Sequence, residues 1–381
     1  IRTCIAQYLS VKDAISCVRV SKEWAQDFVY RVWHTVDFDV HKDFDRMDLA
    51  IVAECGHHIR VVKNLKSLSQ FNALRYPSVR GIKGLQISLG GDLFDTALSC
   101  NLISRNSSSL GALSVTYPVS LWATKLDPGP AFDDYKHFGI KELHMHAKHV
   151  IGDITGDPSG WSTSSPLFTH FPNLKKWLTC ISSTDSAQAI SDGVELWWPK
   201  LREIDTSYSK GAIVKDVLAN IYRPLTSIVF RYSEVSAELF LAVLLHQETL
   251  QNIVAHMNNS DNAQSMETGR LQEVNDHFRN SGWIIQSILR QCPKLTSFKF
   301  LGHEMDMDFV ERSRWSCTGL RCLHTRIRHL DTKEKVDAAI TRLISARESG
   351  TNIDPYDKSI EARVACHLLK FDKLTDIRLS S

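Results

Sequence analysis

Long apolar runs are missing from this sequence: the longest in its 381 residues is Leu239 to Leu245 (LFLAVLL), against the roughly 20 residues that cross a bilayer as a helix. No transmembrane helix is expected. A secretory signal is not expected either, because Arg2, Gln7, Lys12 and Asp13 interrupt the opening stretch where a continuous apolar segment would be needed. Residue 1 is Ile, so a chain trimmed at its start is expected. Charge of one sign is also lacking. Lys+Arg 45 against Asp+Glu 43 leaves a formal +2, so no global field draws the protein to nucleic acid or an anionic membrane, and any basic patch must be local. Cysteine pairs of the CxxC type are absent. Nine scattered cysteines fit reduced thiols, hence the cytoplasm or nucleus, better than a disulfide framework. The sequons at Asn106 and Asn258 then carry no weight.

Phosphate-cradling motifs are missing as well. Gly152, Gly156 and Gly160 are evenly spaced, yet no GxGxxG or GxxxxGK[ST] surrounds them, so a loop excursion accounts for them. Cys317 and Cys322 lack the two-residue spacing of a zinc knuckle. His144 and His146, with His149 beyond, put two imidazoles on one strand face, but no spacing completes a tetrahedral metal site. With nine Cys and 16 His nothing selects a thiol-protease triad. Neither a cofactor nor a metal is expected, and no catalysis. What is present is core-forming capacity, since 43% of residues are hydrophobic and 23% charged.

From Ile1 to Phe38 the apolar residues recur at helical spacing. Ile1, Ile5 and Leu9 lie four apart. Ser10 before Val11, Lys12 and Asp13 has the form of a helix N-cap with a carboxylate in the first turn. Ala14 and Cys17 share a face of that helix, and after Val20 and Ser21 a third segment carries Trp24 and Phe28. So small a unit buries little apolar surface by itself and should dock onto something. The order Tyr8-Leu9-Ser10, Asp13, Cys17, Val20-Ser21-Lys22, Trp24, Val32-Trp33 and Val36-Asp37-Phe38 resembles the F-box motif. It lacks the usual Leu-Pro opening, which would precede Ile1, and has Arg19 and Val20 where a more apolar pair is common. The resemblance implies docking onto the Skp-type linker subunit of a cullin-RING ubiquitin ligase, with Ile5, Leu9, Val20 and Trp24 facing the linker or the motif's own small core. The alternative is a helical cap on the domain that follows.

An apolar-x-x-apolar-x-apolar pattern repeats through the rest of the chain. It appears as Ile82-Leu85-Ile87, Leu110-Leu113-Val115, Ile140-Leu143-Met145, Leu225-Ile228-Phe230, Leu295-Phe298-Phe300 and Leu374-Ile377-Leu379, with looser copies at Ile59, Leu174, Leu201, Leu250 and Leu320. Six of the ten intervals between these starts fall between 23 and 28 residues, in or close to the roughly 20 to 29 of a leucine-rich repeat. The intervals of 45 and 54 residues, 250–295 and 320–374, each have room for a further copy or an insertion. Pro172, Pro199, Pro224 and Pro293 stand one or two residues before a strand pattern and mark its boundary. Return helices are expected at Ala212 to Tyr222, Ser236 to His246 and Gly282 to Gln291. Residues 107–135 and 152–166, rich in Ser, Gly, Pro and Asp, read as loops. FPNLKKW, WPKLREI, RPLTSIVF and CPKLTSFKF resemble the irregular leucine-rich repeats that often follow an F-box; a compact α/β domain is the alternative.

The expected fold is therefore α/β: a helical F-box-like head at 1–40, a connecting helix at 41–58 and a leucine-rich-repeat solenoid at 59–381. In such a solenoid the residues alternating with the core positions form the concave binding row. That row includes Gln86, Ser88, Ser114, Thr116, His144, His146, Asp205, Val229, Arg231, Lys299, His324, Arg326 and Arg378. His144, His146, Arg231, Lys299, His324, Arg326 and Arg378 are the candidate target contacts. The basic later half favours an acidic or phosphorylated target. Trp177, Trp197 and Trp198 are expected to fill core edges. The resulting expectation is a substrate-recognition adaptor of a ubiquitin ligase, bound to a Skp-type linker and through it a cullin, without nucleic acid or membrane. The alternative is a repeat scaffold unrelated to ubiquitin.

Overall fold

The structure, a computed structural model, describes residues 5, 8–42, 44, 47–88, 101–118, 140–148, 171–178, 185–206, 211–231, 237–256, 282–354 and 356–380. It comprises two units, Ile1–Leu178 with Leu196–Leu201, and Thr179–Glu195 with Arg202–Ser381.

Among the described residues of the first unit are two helices, Val11–Val18 and Lys22–Trp33. Ser10 Oγ accepts the Asp13 N–H at 3.2 Å and Ser21 Oγ accepts the Trp24 N–H at 3.3 Å, so each helix starts on a serine that satisfies one of its unpaired amides. Their apolar faces meet around Ala14 and Phe28, with Leu9, Cys17, Val18, Trp24, Tyr30 and Val32 packed against them. Of the first expected helix, around Ile1 to Leu9, most lies outside the described residues.

Six strands follow: β1 (Thr35–Asp37), β2 (Val61–Leu65), β3 (Gly84–Ser88), β4 (Ala112–Pro118), β5 (Glu142–Lys148) and β6 (Lys176–Leu178). Each pairs in parallel with the next. Parallel neighbours need a crossover between them; between β1 and β2 this includes the helix Leu49–Cys55 and the 3-10 turn Gly56–His58. That turn holds His57 and His58 and leads into β2. The ladder starts at β1, inside the stretch read as the helical head. Among residues 107–135, read as a loop, 112–118 are β4: alternation at Leu113 and Val115 outweighs the Ser- and Gly-rich composition beside it. Residues 119–139 and 152–166 lie outside the described residues.

The second unit continues the pattern with β7 (Glu203–Thr206), β8 (Ser227–Arg231), β9 (Asn252–His256), β10 (Ser297–Met305), β11 (Cys322–Ile327) and β12 (Asp376–Ser380), again parallel and in chain order. Helices Gly211–Asn220, Ala237–Leu244 and Gly282–Gln291 occupy the expected return segments. Asn252 is register partner of Ser297 and Cys322 of Asp376, so among the described residues β9 pairs directly with β10 and β11 with β12. The 320–374 interval is an insertion built on two helices, Lys333–Ser349 and Ile360–Leu368.

The repeat has one physical basis in both units. Ile59, Ile82, Leu110, Ile140, Leu174, Leu201, Leu225, Leu250, Leu295, Leu320 and Leu374 are all fully buried, each just ahead of a strand. At the strand entrances one carbonyl accepts two successive N–H groups: Lys83 O from Gly111 and Ala112, Gln251 O from Thr296 and Ser297, Arg321 O from Thr375 and Asp376. The register is thus fixed by a recurring backbone clamp as well as by the buried side chains. Trp177 and Trp198 meet edge to face at 5.0 Å and are buried, in keeping with a core role. Among the described residues no helix is long and apolar enough to cross a membrane, and Cys17, Cys55, Cys292, Cys317, Cys322 and Cys366 are free thiols.

Candidate functional site

The helical head separates its four candidate contact residues into two pairs. Trp24 stacks on Phe28 with ring centroids 5.3 Å apart and planes 9° apart, and Leu9 packs against the same cluster. Ile5 and Val20, by contrast, are 47% and 65% exposed, and Tyr8 is 89% exposed. Leu9 and Trp24 pack in the two-helix core, whereas Ile5, Tyr8 and Val20 are exposed. The Arg31 guanidinium donates to the Leu9 carbonyl at 3.2 and 3.3 Å, tying the segment before the first helix to the end of the second. That contact joins residues 22 apart, and no periodicity signals it.

In the first unit the candidate binding row follows strand register. Gln86, Ser114 and His144 are aligned on β3, β4 and β5, and Ser88, Thr116 and His146 are aligned one step further along. His144 is half-buried, its Nε2 3.8 Å from Glu142 Oε2. His149, the third member of the histidine group, lies outside the described residues.

In the second unit one register row runs Asp205, Val229, Val254, Lys299, His324, Arg378, and a neighbouring position pairs Arg326 with Glu304 and Ser380. Arg231 aligns with His256. The expected basic surface is partly compensated from within. Arg326 Nε is 3.9 Å from Glu304 Oε1 and Arg378 Nε is 3.7 Å from Asp376 Oδ1, so each of these two cations has a carboxylate nearby on the same sheet. His324 is buried and offers an incoming protein little contact area.

His324 instead belongs to a cluster that sequence spacing did not disclose. Asp376 Oδ2 lies 3.0 Å from His324 Nε2 and accepts from Cys322 Sγ at 3.2 Å. Cys322 and His324 stand two apart on β11, which puts them on one face of the sheet, while Leu323 and Thr325 between and beyond them are buried on the other. Asp376 is 54 residues from Cys322 in the chain and reaches it only because β12 pairs with β11 in register. Burial raises the Cys322 thiol above its ordinary value, reinforced by the hydrogen bond to Asp376. The Asp376 carboxyl is held below its ordinary value by that same hydrogen bond and by His324. Burial lowers the His324 imidazole, against the pull of Asp376. Thiol and imidazole both address the carboxylate, so the arrangement is not that of a thiol nucleophile activated by a histidine base, in which the imidazole takes the thiol proton.

No family model matches the chain, and no curated protein matches it. Among solved structures, the leucine-rich repeat-containing protein LegL7 from Legionella pneumophila is similar over 84% of this chain and 93% of that one, at 12% identity and a TM-score of 0.40. That likeness is too weak to define the fold, and the repeat character of this chain rests on its own strand ladder.

Proposed function

We propose that this chain is a repeat-based protein-interaction scaffold, and more specifically the substrate-recognition adaptor of a cullin-RING ubiquitin ligase. In this reading the helical head docks a Skp-type linker and the exposed faces of the strand rows hold a target protein. The chain itself carries out no bond chemistry. It raises the effective concentration of the target beside a separate enzyme that transfers ubiquitin to a target lysine.

The supporting observation is the apolar surface of the head. Ile5, Tyr8 and Val20 are exposed beside a two-helix core that needs only Ala14, Phe28, Leu9, Trp24 and their neighbours. Large apolar side chains left exposed outside a small core fit a surface that is covered by a partner. The F-box resemblance names which partner to try.

The test is binding of the full chain to a purified Skp-type linker, compared with Val20→Asp and Ile5→Asp. Both sites are exposed, so the helices should keep their circular dichroism while affinity drops by about tenfold or more, as expected when an apolar anchor is replaced by a charge. Trp24→Ala is the poorer test because it removes the ring stacked on Phe28. Unchanged binding of both aspartate variants, or no binding by the unaltered chain, would reject the adaptor reading. If the linker fails to bind while a target is still retained by the strand units, the scaffold unrelated to ubiquitin becomes the better account.

A further inference from the structure

We propose that Cys322, His324 and Asp376 form a zinc-type metal site with one open coordination position on the exposed face of the second unit's strand ladder. The inference does not depend on what the head binds. Among the described residues this is the group of His, Cys, Asp and Glu side chains whose ligand atoms converge, all within 4.8 Å of one another.

The donor set indicates the metal. Thiolate, imidazole and carboxylate together suit a borderline cation such as Zn²⁺, whereas Mg²⁺ and Ca²⁺ take oxygen-rich sites. The spacing indicates the geometry. With metal–ligand distances of about 2.0–2.3 Å, a tetrahedral site has ligand–ligand edges of about 3.3 Å between N and O and about 3.5 Å to S. The two edges observed here are 3.0 Å for His324 Nε2 to Asp376 Oδ2 and 3.2 Å for Cys322 Sγ to Asp376 Oδ2. Admitting the ion opens each of these two edges by about 0.3 Å and sets the Cys322–His324 edge to about 3.5 Å, from a separation within 4.8 Å, through side-chain torsions on fixed strands.

The surroundings support the same geometry. Two ligands on one strand and one on its neighbour are anchored by the backbone register, so the site is preorganised. Arg378 Nε lies 3.7 Å from Asp376 Oδ1, the carboxylate oxygen that the cluster does not use. Both Cys322 and His324 are buried rather than solvated like ordinary surface residues. Binding displaces the thiol proton to solvent and moves the imidazole proton from Nε2 to Nδ1, so the site changes from a lone carboxylate to a neutral metal complex. That limits repulsion from Lys299, aligned with His324 on β10. Three protein ligands leave a fourth position for water or for a donor from a bound protein.

The test is titration of the full, metal-stripped chain with Co²⁺, which reports a thiolate ligand by a sulfur-to-cobalt charge-transfer band and tetrahedral geometry by intense visible bands. One equivalent should bind and be displaced by Zn²⁺. Cys322→Ser should abolish the charge-transfer band. Asp376→Asn keeps the side-chain shape and should weaken binding by at least about tenfold, which also guards against misfolding of the serine variant. Cys366→Ser, which alters an exposed thiol elsewhere, should change nothing. Absence of a band, a band that survives Cys322→Ser, or full affinity in Asp376→Asn would overturn the proposal.

Discussion

At the scale of single residues, the chemistry of this chain depends on what burial does to a side chain. His367 is buried among Trp315, at 4.6 Å edge to face, and Phe371, and both its ring nitrogens lack a hydrogen-bond partner. Burial, helped by Lys370 and opposed by Glu311, brings its pKa down from 6.5 to about 4. The unfolded chain therefore binds the extra proton first, so the stability that comes from keeping this ring neutral is complete above pH 6.5 and is lost as pH falls towards 4. The span corresponds to about 3 kcal/mol. His367→Leu should fold at least as stably at pH 7.5, since it removes two unsatisfied polar atoms, and should lose less stability between pH 6.5 and 4.5; urea unfolding at those pH values measures both. A drop of equal size in the two proteins would show that the ring does not control that interval. Asn106 teaches a related lesson. A sequon in the sequence, it is buried, accepting from the Gly81 and Ile82 amides at 2.9 and 3.0 Å and donating to the Leu102 carbonyl at 2.9 Å. Nothing in the local text distinguishes such an internal bracket from a surface asparagine.

At the scale of elements, local patterning and tertiary contact can pull in opposite directions, and Gly282 measures which prevails. It begins the helix Gly282–Gln291, where alanine is intrinsically preferred by up to about 1 kcal/mol. A Cβ there would lie 2.6 Å from the Glu304 carbonyl oxygen on β10, a backbone atom that cannot rotate away. Overpacking of this kind costs about 1–3 kcal/mol, so Gly282→Ala should be destabilising despite its better helix propensity. A lowered thermal midpoint is expected; a raised one would mean that the helix slides freely on the strand. The strands themselves were readable because each carries its buried leucine or isoleucine ahead of two alternating core positions. β1 escaped the pattern because Thr35–Asp37 offers only Val36 and lies against a run of helical spacing.

At the scale of the whole molecule, a ladder of parallel strands in chain order makes each repeat answer mainly to its neighbours. Within the second unit, β7 and β11 stand four strand steps apart, about 19 Å at the usual spacing. Ile204→Val on β7 and Ile327→Val on β11 remove one buried methyl each and should cost about 0.5–1.5 kcal/mol apiece. The double variant should equal their sum to within about 0.5 kcal/mol. Chemical denaturation of the four proteins checks it, and a larger discrepancy would mean that the unit is coupled as one packed core.

The amino-acid order alone determined the strand positions from β2 onward, the capped helices of the head and the α/β repeat, because periodicity and capping act over a few residues. Only the tertiary structure decided which of those residues face one another. Asp376 meets Cys322 and His324, and Arg31 meets the Leu9 carbonyl, through contacts whose partners are far apart in the chain. The same holds for charge: Arg326 reads as a basic surface until register brings Glu304 beside it. Hydrophobic patterning needs no knowledge of the neighbouring strand, whereas a polar cluster exists only once two strands have been set side by side.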